Sequence, residues 1–203
     1  MLFPHRMIFI RHGETPYNAE QRLQGQRDIP LNDNGRRQAV AVGKTLLVQC
    51  PDELLALDAA KAFTCSPLIR ARETLELARA TMGLDPLAYE LAPDLIELSF
   101  GQWEGLMWDQ VEAVSPGASL HRGQDKWDFT PPGGESYAML ATRVTPWLKA
   151  QTADCFVASH GGVARAFLTL LAGMSPEVAA NYEIKQGVPL VFEGGGFRWV
   201  GAL

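Results

Sequence analysis

Three short apolar runs, at residues 7–10, 62–65 and 155–158, each stop abruptly on polar residues. Met7-Ile8-Phe9-Ile10 runs into Arg11-His12-Gly13, the second run into Ser66-Pro67, and the third into Ser159-His160-Gly161-Gly162. Four apolar residues are too few for a membrane span or a signal h-region. Without polar alternation, they read as strands buried on both faces. The stretches between them carry helical periodicity. Strands alternating with helices imply an α/β fold, with a mostly parallel sheet covered by helices on both sides.

The helices can be placed from their signals. One starts after Asn32, a good N-cap, with Ala39, Val42, Leu46 and Leu47 on one face, and ends at Pro51. A second follows Ser66-Pro67, turns Leu68, Ala71, Leu75, Ala78 and Met82 inward, and stops at Gly83. A third follows Gly134-Glu135-Ser136 with Tyr137, Leu140, Val144 and Leu148 inward, and Pro146 should kink or end it. A fourth follows His160 to about residue 171. Residues 84–100 read as a short strand and a loop, and residues 190–200 as a β-hairpin turning at three glycines. Residues 101–134 are rich in Gly, Trp and Pro and weakly periodic, which suggests a lid-like excursion with a short helix at 108–114. No repeat or linker divides residues 1–203, so a single domain is expected.

Composition excludes some classes. A formal net charge of −5 is a poor match to a nucleic-acid binder. Three cysteines without a C-x-x-C pair make a disulfide framework improbable and favour a reducing, cytoplasmic setting. Neither a nucleic acid nor a membrane is an expected partner. The C-terminal hairpin offers an edge strand through which a homodimer could pair.

In an open α/β sheet, ligands bind beyond the carboxyl ends of the strands. Arg11, His12, Arg70 and His160 should therefore converge on one crevice, with Glu97 and Asn18 added from neighbouring loops. Arginine keeps its charge and offers forked donors that match phosphate oxygens. One histidine nitrogen can attack phosphorus if the other donates to a carbonyl. The second histidine can donate to a phosphoryl oxygen. A carboxyl group can protonate the leaving oxygen and later take a proton from water. Arginines in these roles do the electrostatic work that Mg²⁺ does elsewhere, so neither metal nor cofactor is expected. Gly13 is read as letting the backbone approach the ligand.

Five stretches carry a resemblance: RHGETPYN at 11–18, LQGQRDIPLNDNGRRQA at 23–39, SPLIRARET at 66–74, ELSFGQWEG at 97–105 and SHGGVAR at 159–165. Taken in this order, they are similar to the histidine phosphatase superfamily, the phosphoglycerate-mutase-like proteins. The resemblance implies a three-layer α/β/α sandwich. It implies His12 as nucleophile, with Arg11, Arg70 and His160 completing a phosphate pocket. It implies Glu97, four residues before Gly101, as proton donor. Asn18, Gln24 and Gly25 match positions that contact the phosphate or the rest of a small phosphorylated substrate.

The family also contains mutases, and three departures favour a phosphatase. Mutases that resemble this chain carry T-G-W where Gln24-Gly25-Gln26 stands, and asparagine where Gly162 stands. Their longer insertion bears paired arginines, whereas residues 101–134 hold only Arg122. The expected activity is phosphomonoester hydrolysis through a phosphohistidine. The alternatives are mutase-type phosphoryl transfer and a phosphate-binding protein without turnover. Asp94 and Glu104 are rival carboxylates to Glu97. Trp103, Trp108 and Trp127 divide between core and pocket wall. Gly43-Lys44-Thr45 lacks the glycine and strand of a P-loop and is set aside.

Overall fold

The computed structural model describes residues 2–59 and 61–201. A six-stranded sheet carries the order β3-β2-β4-β1-β5-β6. Its strands are β1 (Met7–Arg11), β2 (Phe63–Cys65), β3 (Glu90–Leu91), β4 (Cys155–Ser159), β5 (Leu190–Glu193) and β6 (Gly196–Trp199). The first four are mutually parallel and the last two form the antiparallel hairpin, so the sheet is mostly parallel. The hairpin turns on Gly194 and Gly195, both at positive φ (60° and 80°), which suits a two-residue loop.

Strand alternation divides the core into two. Met7, Phe9, Val157 and Phe192 face α7 (Tyr137–Ala150), α8 (Gly161–Ala172) and α9 (Pro176–Asn181). After the four-residue α1 (Pro16–Ala19), the other face follows: Ile8, Ile10, Phe156, Ala158 and Val191 face α2 (Asp33–Gln49), α3 (Pro51–Ala59) and α4 (Ile69–Thr81). This is the expected three-layer α/β/α sandwich. The predicted inner faces of α4 and α7 are buried throughout. On α2, Ala39, Val42 and Leu46 are buried, but Leu47 is 43% exposed.

The helix signals held in most places. The Asn32 and Ser136 side chains cap α2 and α7 by accepting from the N–H groups of Gly35 and Met139. Pro51 ends α2 but also begins α3, because the first helical position needs no N–H. Pro146 does not end α7. It sits on the exposed face near the last turn, where water can serve the carbonyl it leaves unpaired.

The excursion at 101–134 holds a 3₁₀ turn (Gly101–Trp103), α5 (Trp108–Val114) and α6 (Ala118–Gln124) around a small core of Leu23, Trp103, Val111 and Ala118. Backbone hydrogen bonds from Leu23 to Leu106 (2.9 Å) and from Gly105 to Leu23 (2.7 Å) stitch it to the 23–26 loop. Among the described residues, no helix is long and apolar enough to cross a membrane.

Candidate active site

The sheet order sets β2, β4 and β1 side by side, so Ser66, His160 and His12 emerge at neighbouring strand ends. Arg11 is opposite Ser159 in the register, and Cys65 is opposite Ala158. The cavity there is about 170 Å³ and is lined by Arg11, His12, Asn18, Gln24, Gly25 and Glu97, among others. His160 and Arg70 lie fully buried behind it. A larger cavity, about 580 Å³, lies beside Arg6, Leu57 and Cys155, where no catalytic constellation gathers.

His12 Nδ1 is 2.7 Å from the Gly13 carbonyl. A carbonyl can only accept, so Nδ1 carries the proton and Nε2 keeps a lone pair. The backbone around the ring is fixed from three sides. His12 N donates to Ser159 O (2.9 Å), Gly13 N donates to Thr74 Oγ1 (3.0 Å), and Gln186 Nε2 donates to His12 O (3.2 Å). Burial, then Arg70 and Arg11, push the His12 pKa well below the usual histidine range, which leaves a neutral ring. The role of Gly13 differs from the sequence reading. A Cβ there would strike the Gly35 backbone, so this glycine lets the loop pack on the start of α2.

The rings of His12 and His160 stand 5.2 Å apart. The two arginines anchor loops as well as supplying charge. Arg70 donates from Nη1 to Arg27 O and from Nη2 to Gly25 O, both at 2.7 Å. Arg11 donates from Nη1 to Ile184 O (2.7 Å). Among the described residues, Arg11 Nε, Arg70 Nε and His160 Nδ1 are buried without a hydrogen-bond partner. Unspent buried N–H groups are costly unless an anion takes them. Burial lowers the Arg70 pKa to about 10, against the opposing field of Glu97, and lowers that of Arg11 as well. Two guanidinium groups buried beside the cavity suit it to an anionic ligand.

Glu97 is placed by the backbone. Its carboxylate accepts from Leu98 N (2.9 Å) and from Gly162 N at the start of α8 (3.0 and 3.2 Å). A Cβ at position 162 would collide with this carboxylate, so glycine is what permits the clasp. Arg143 fixes the loop that carries Glu97. It pairs with Glu135 through two 2.9 Å contacts and donates to the carbonyls of Asp94 (2.6 Å) and Ile96 (3.1 Å). The rival carboxylates are elsewhere. Glu104 Oε1 accepts from Gln26 N (3.0 Å) and Phe100 N (3.1 Å), tying the excursion to the 23–26 loop. Asp94 is exposed.

Asn18 and Gln24 are tied together through Thr15, whose Oγ1 donates to Gln24 Oε1 (2.6 Å). Asn18 Oδ1 accepts from Thr15 N (3.2 Å) and Gln186 Nε2 (3.1 Å), which leaves its amide nitrogen for the cavity. Gly25 sits at φ +54°, and a Cβ there would strike Glu104. None of the three tryptophans lines the cavity. Trp103 is core, Trp108 packs on it, and Trp127 stacks on Tyr137, which does line the cavity.

Sequence reasoning missed Ser66, Thr74, Arg143, Arg165 and Gln186. Ser66 and Thr74 are polar positions of SPLIRARET, and Arg165 of SHGGVAR, and that membership is their signal. Arg143 and Gln186 carry no local signal.

The model of the histidine phosphatase superfamily (branch 1) matches residues 7–201. The chain belongs to this superfamily. Among curated relatives, it is 32% identical over 193 residues to a 2,3-bisphosphoglycerate-dependent phosphoglycerate mutase of Methylobacterium radiotolerans, covering 92% of this chain and 88% of the relative. A mutase of the same description from Beijerinckia indica is 30% identical, with 92% and 90% covered. Among solved structures, a mycobacterial glucosyl-3-phosphoglycerate phosphatase in complex with VO3 superposes with a TM-score of 0.76 at 28% identity, and 96% of each chain is covered. Superfamily membership thus fits the pocket, while the named relatives include both mutases and a phosphatase.

Proposed function

We propose that this histidine phosphatase superfamily member is a phosphomonoester hydrolase acting through phospho-His12 on a small phosphorylated metabolite. The observation that carries the reading is the free lone pair of His12 Nε2, set beside the buried N–H groups of Arg11 Nε and Arg70 Nε and the buried His160 Nδ1, all without a partner among the described residues. In the first half-reaction Nε2 attacks phosphorus and the ester P–O bond breaks. Glu97, as the acid, gives its proton to the leaving oxygen and an alcohol departs. In the second half-reaction Glu97 removes a proton from water. The water oxygen attacks phosphorus, and the P–N pair returns to Nε2 as phosphate forms. Arg11, Arg70 and His160 stabilise charge on the phosphoryl oxygens in both steps, so no metal is required. The cavity volume of about 170 Å³ suits a small ester, whose remainder would meet Asn18, Gln24, Phe100, Tyr137 and Arg165.

The curated relatives keep mutase chemistry in view. A mutase must hold its phosphohistidine away from water until a second hydroxyl arrives. Gly162 places no side chain over the pocket, which favours entry of water. Incubation with 3-phosphoglycerate and a bisphosphate primer separates the readings. Free phosphate should form with little isomerisation; fast isomerisation with little phosphate would reverse the assignment. A phosphomonoester panel run with and without chelator tests the metal-free chemistry, which loss of activity on chelation would contradict. Rapid-quench labelling should trap phosphohistidine, and binding without labelling would indicate a protein without turnover.

A further inference from the structure

Ser66 follows β2 directly, is completely buried, and places Oγ 2.7 Å from His160 Nε2. Leu68 N donates to the same oxygen (3.4 Å), so its acceptor side already faces a backbone donor. A hydroxyl carries one proton, and among the described residues the acceptor within reach is His160 Nε2. We propose that Ser66 is a positioning residue that donates to His160 Nε2 and thereby fixes His160 as the neutral Nδ1–H tautomer.

The opposite tautomer fails the same accounting. With the proton on Nε2, the Ser66 hydroxyl proton has no acceptor among the described residues, and the buried Nδ1 lone pair has no donor there. Either fault leaves a buried polar group unsatisfied, which is costly. An imidazolium strands the Ser66 proton in the same way and adds a charge among Arg70, Arg11 and His12; Arg143 also lies near enough to oppose it. Burial and these neighbours lower the His160 pKa well below the ordinary range, in agreement.

Both pocket histidines then share one tautomer and present opposite ends. His12 ties Nδ1–H to Gly13 O and offers the Nε2 lone pair as nucleophile. His160 has its Nε2 lone pair occupied by Ser66 and offers Nδ1–H, a buried donor with no partner among the described residues. Two identical side chains thus become a nucleophile and a hydrogen-bond donor through their second partners alone. The role of the His160 donor rests on the phosphatase reading; its tautomer does not.

The test is a long-range ¹H–¹⁵N correlation spectrum of the full chain labelled at histidine nitrogen, at pH 7, with His160 assigned by comparison with His160→Gln. The expected His160 pattern has one protonated and one unprotonated nitrogen, with Nδ1 protonated. Ser66→Ala should lose this fixed pattern and lower kcat by about 10–100-fold with little change in KM, the range for outer partners that orient a functional histidine. Ser66→Thr, which keeps the hydroxyl, should retain the pattern and most of kcat. A wild-type spectrum with Nε2 protonated, or with both nitrogens protonated, overturns the proposal. So does a Ser66→Ala protein whose tautomer is unchanged. Because the wild-type spectrum needs no turnover, a failed phosphatase assay and a failed tautomer assignment are separate results.

Discussion

The pocket at the strand ends and the excursion at 101–134 are built by opposite means. The pocket joins three strand ends, and its polar groups are fixed by contacts across the whole chain, such as Gln186 to His12 O and Arg70 to Gly25 O. The excursion rests on a four-residue core and leaves Val114 and Leu120 each 65% exposed. The pocket buries charge, which is tolerable only if every group is placed in advance. The excursion is held by a small core of its own, and none of its residues is among those that line the cavity.

The largest effect that would sharpen this contrast is at the pocket centre. His12→Ala should abolish turnover and phosphohistidine labelling; retention of either would remove the nucleophile. Glu97→Gln should lower kcat by about 10²–10⁴. An activated aryl phosphate should partly rescue it, because its leaving group needs no proton. Absence of any rescue would count against Glu97 as acid. In the excursion, Trp103→Ala deletes a buried side chain and should destabilise by about 3–5 kcal/mol. If the two regions are energetically separate, that loss should expose α5 and α6 to proteolysis first and leave aryl-phosphate labelling of His12 intact. Loss of labelling with the excursion would show that they are one unit.

Between pH 7.5 and 5.5, acid should act chiefly through the two pocket histidines. His12 and His160 are held neutral with pKa values below their unfolded value of about 6.5. As pH falls through 6.5, the unfolded chain takes up a proton at each position that the folded chain refuses, so their contribution to stability is lost in that direction. Melting in phosphate-free buffer should fall between pH 7.5 and 5.5, and the slope should flatten in His12→Asn. The smallest effect is at the excursion surface. Leu120→Gln should change stability by within about 0.5 kcal/mol. A larger loss by denaturant melt would show that this exposed side chain is in fact engaged.

The sequence by itself determined the strands, the faces of α4 and α7, and the residues gathered at the strand ends. These are periodic or contiguous features, and the physics that places them acts over a few residues. The short helices α3, α6 and α9 escaped because two turns carry too little periodicity to stand out. Tertiary structure alone decided that Gly13 serves packing on Gly35, that Gly162 makes room for Glu97, and that Arg143 and Gln186 support the site. Each of these depends on which distant backbone comes close. That proximity is fixed only when the sheet order and helix packing have formed.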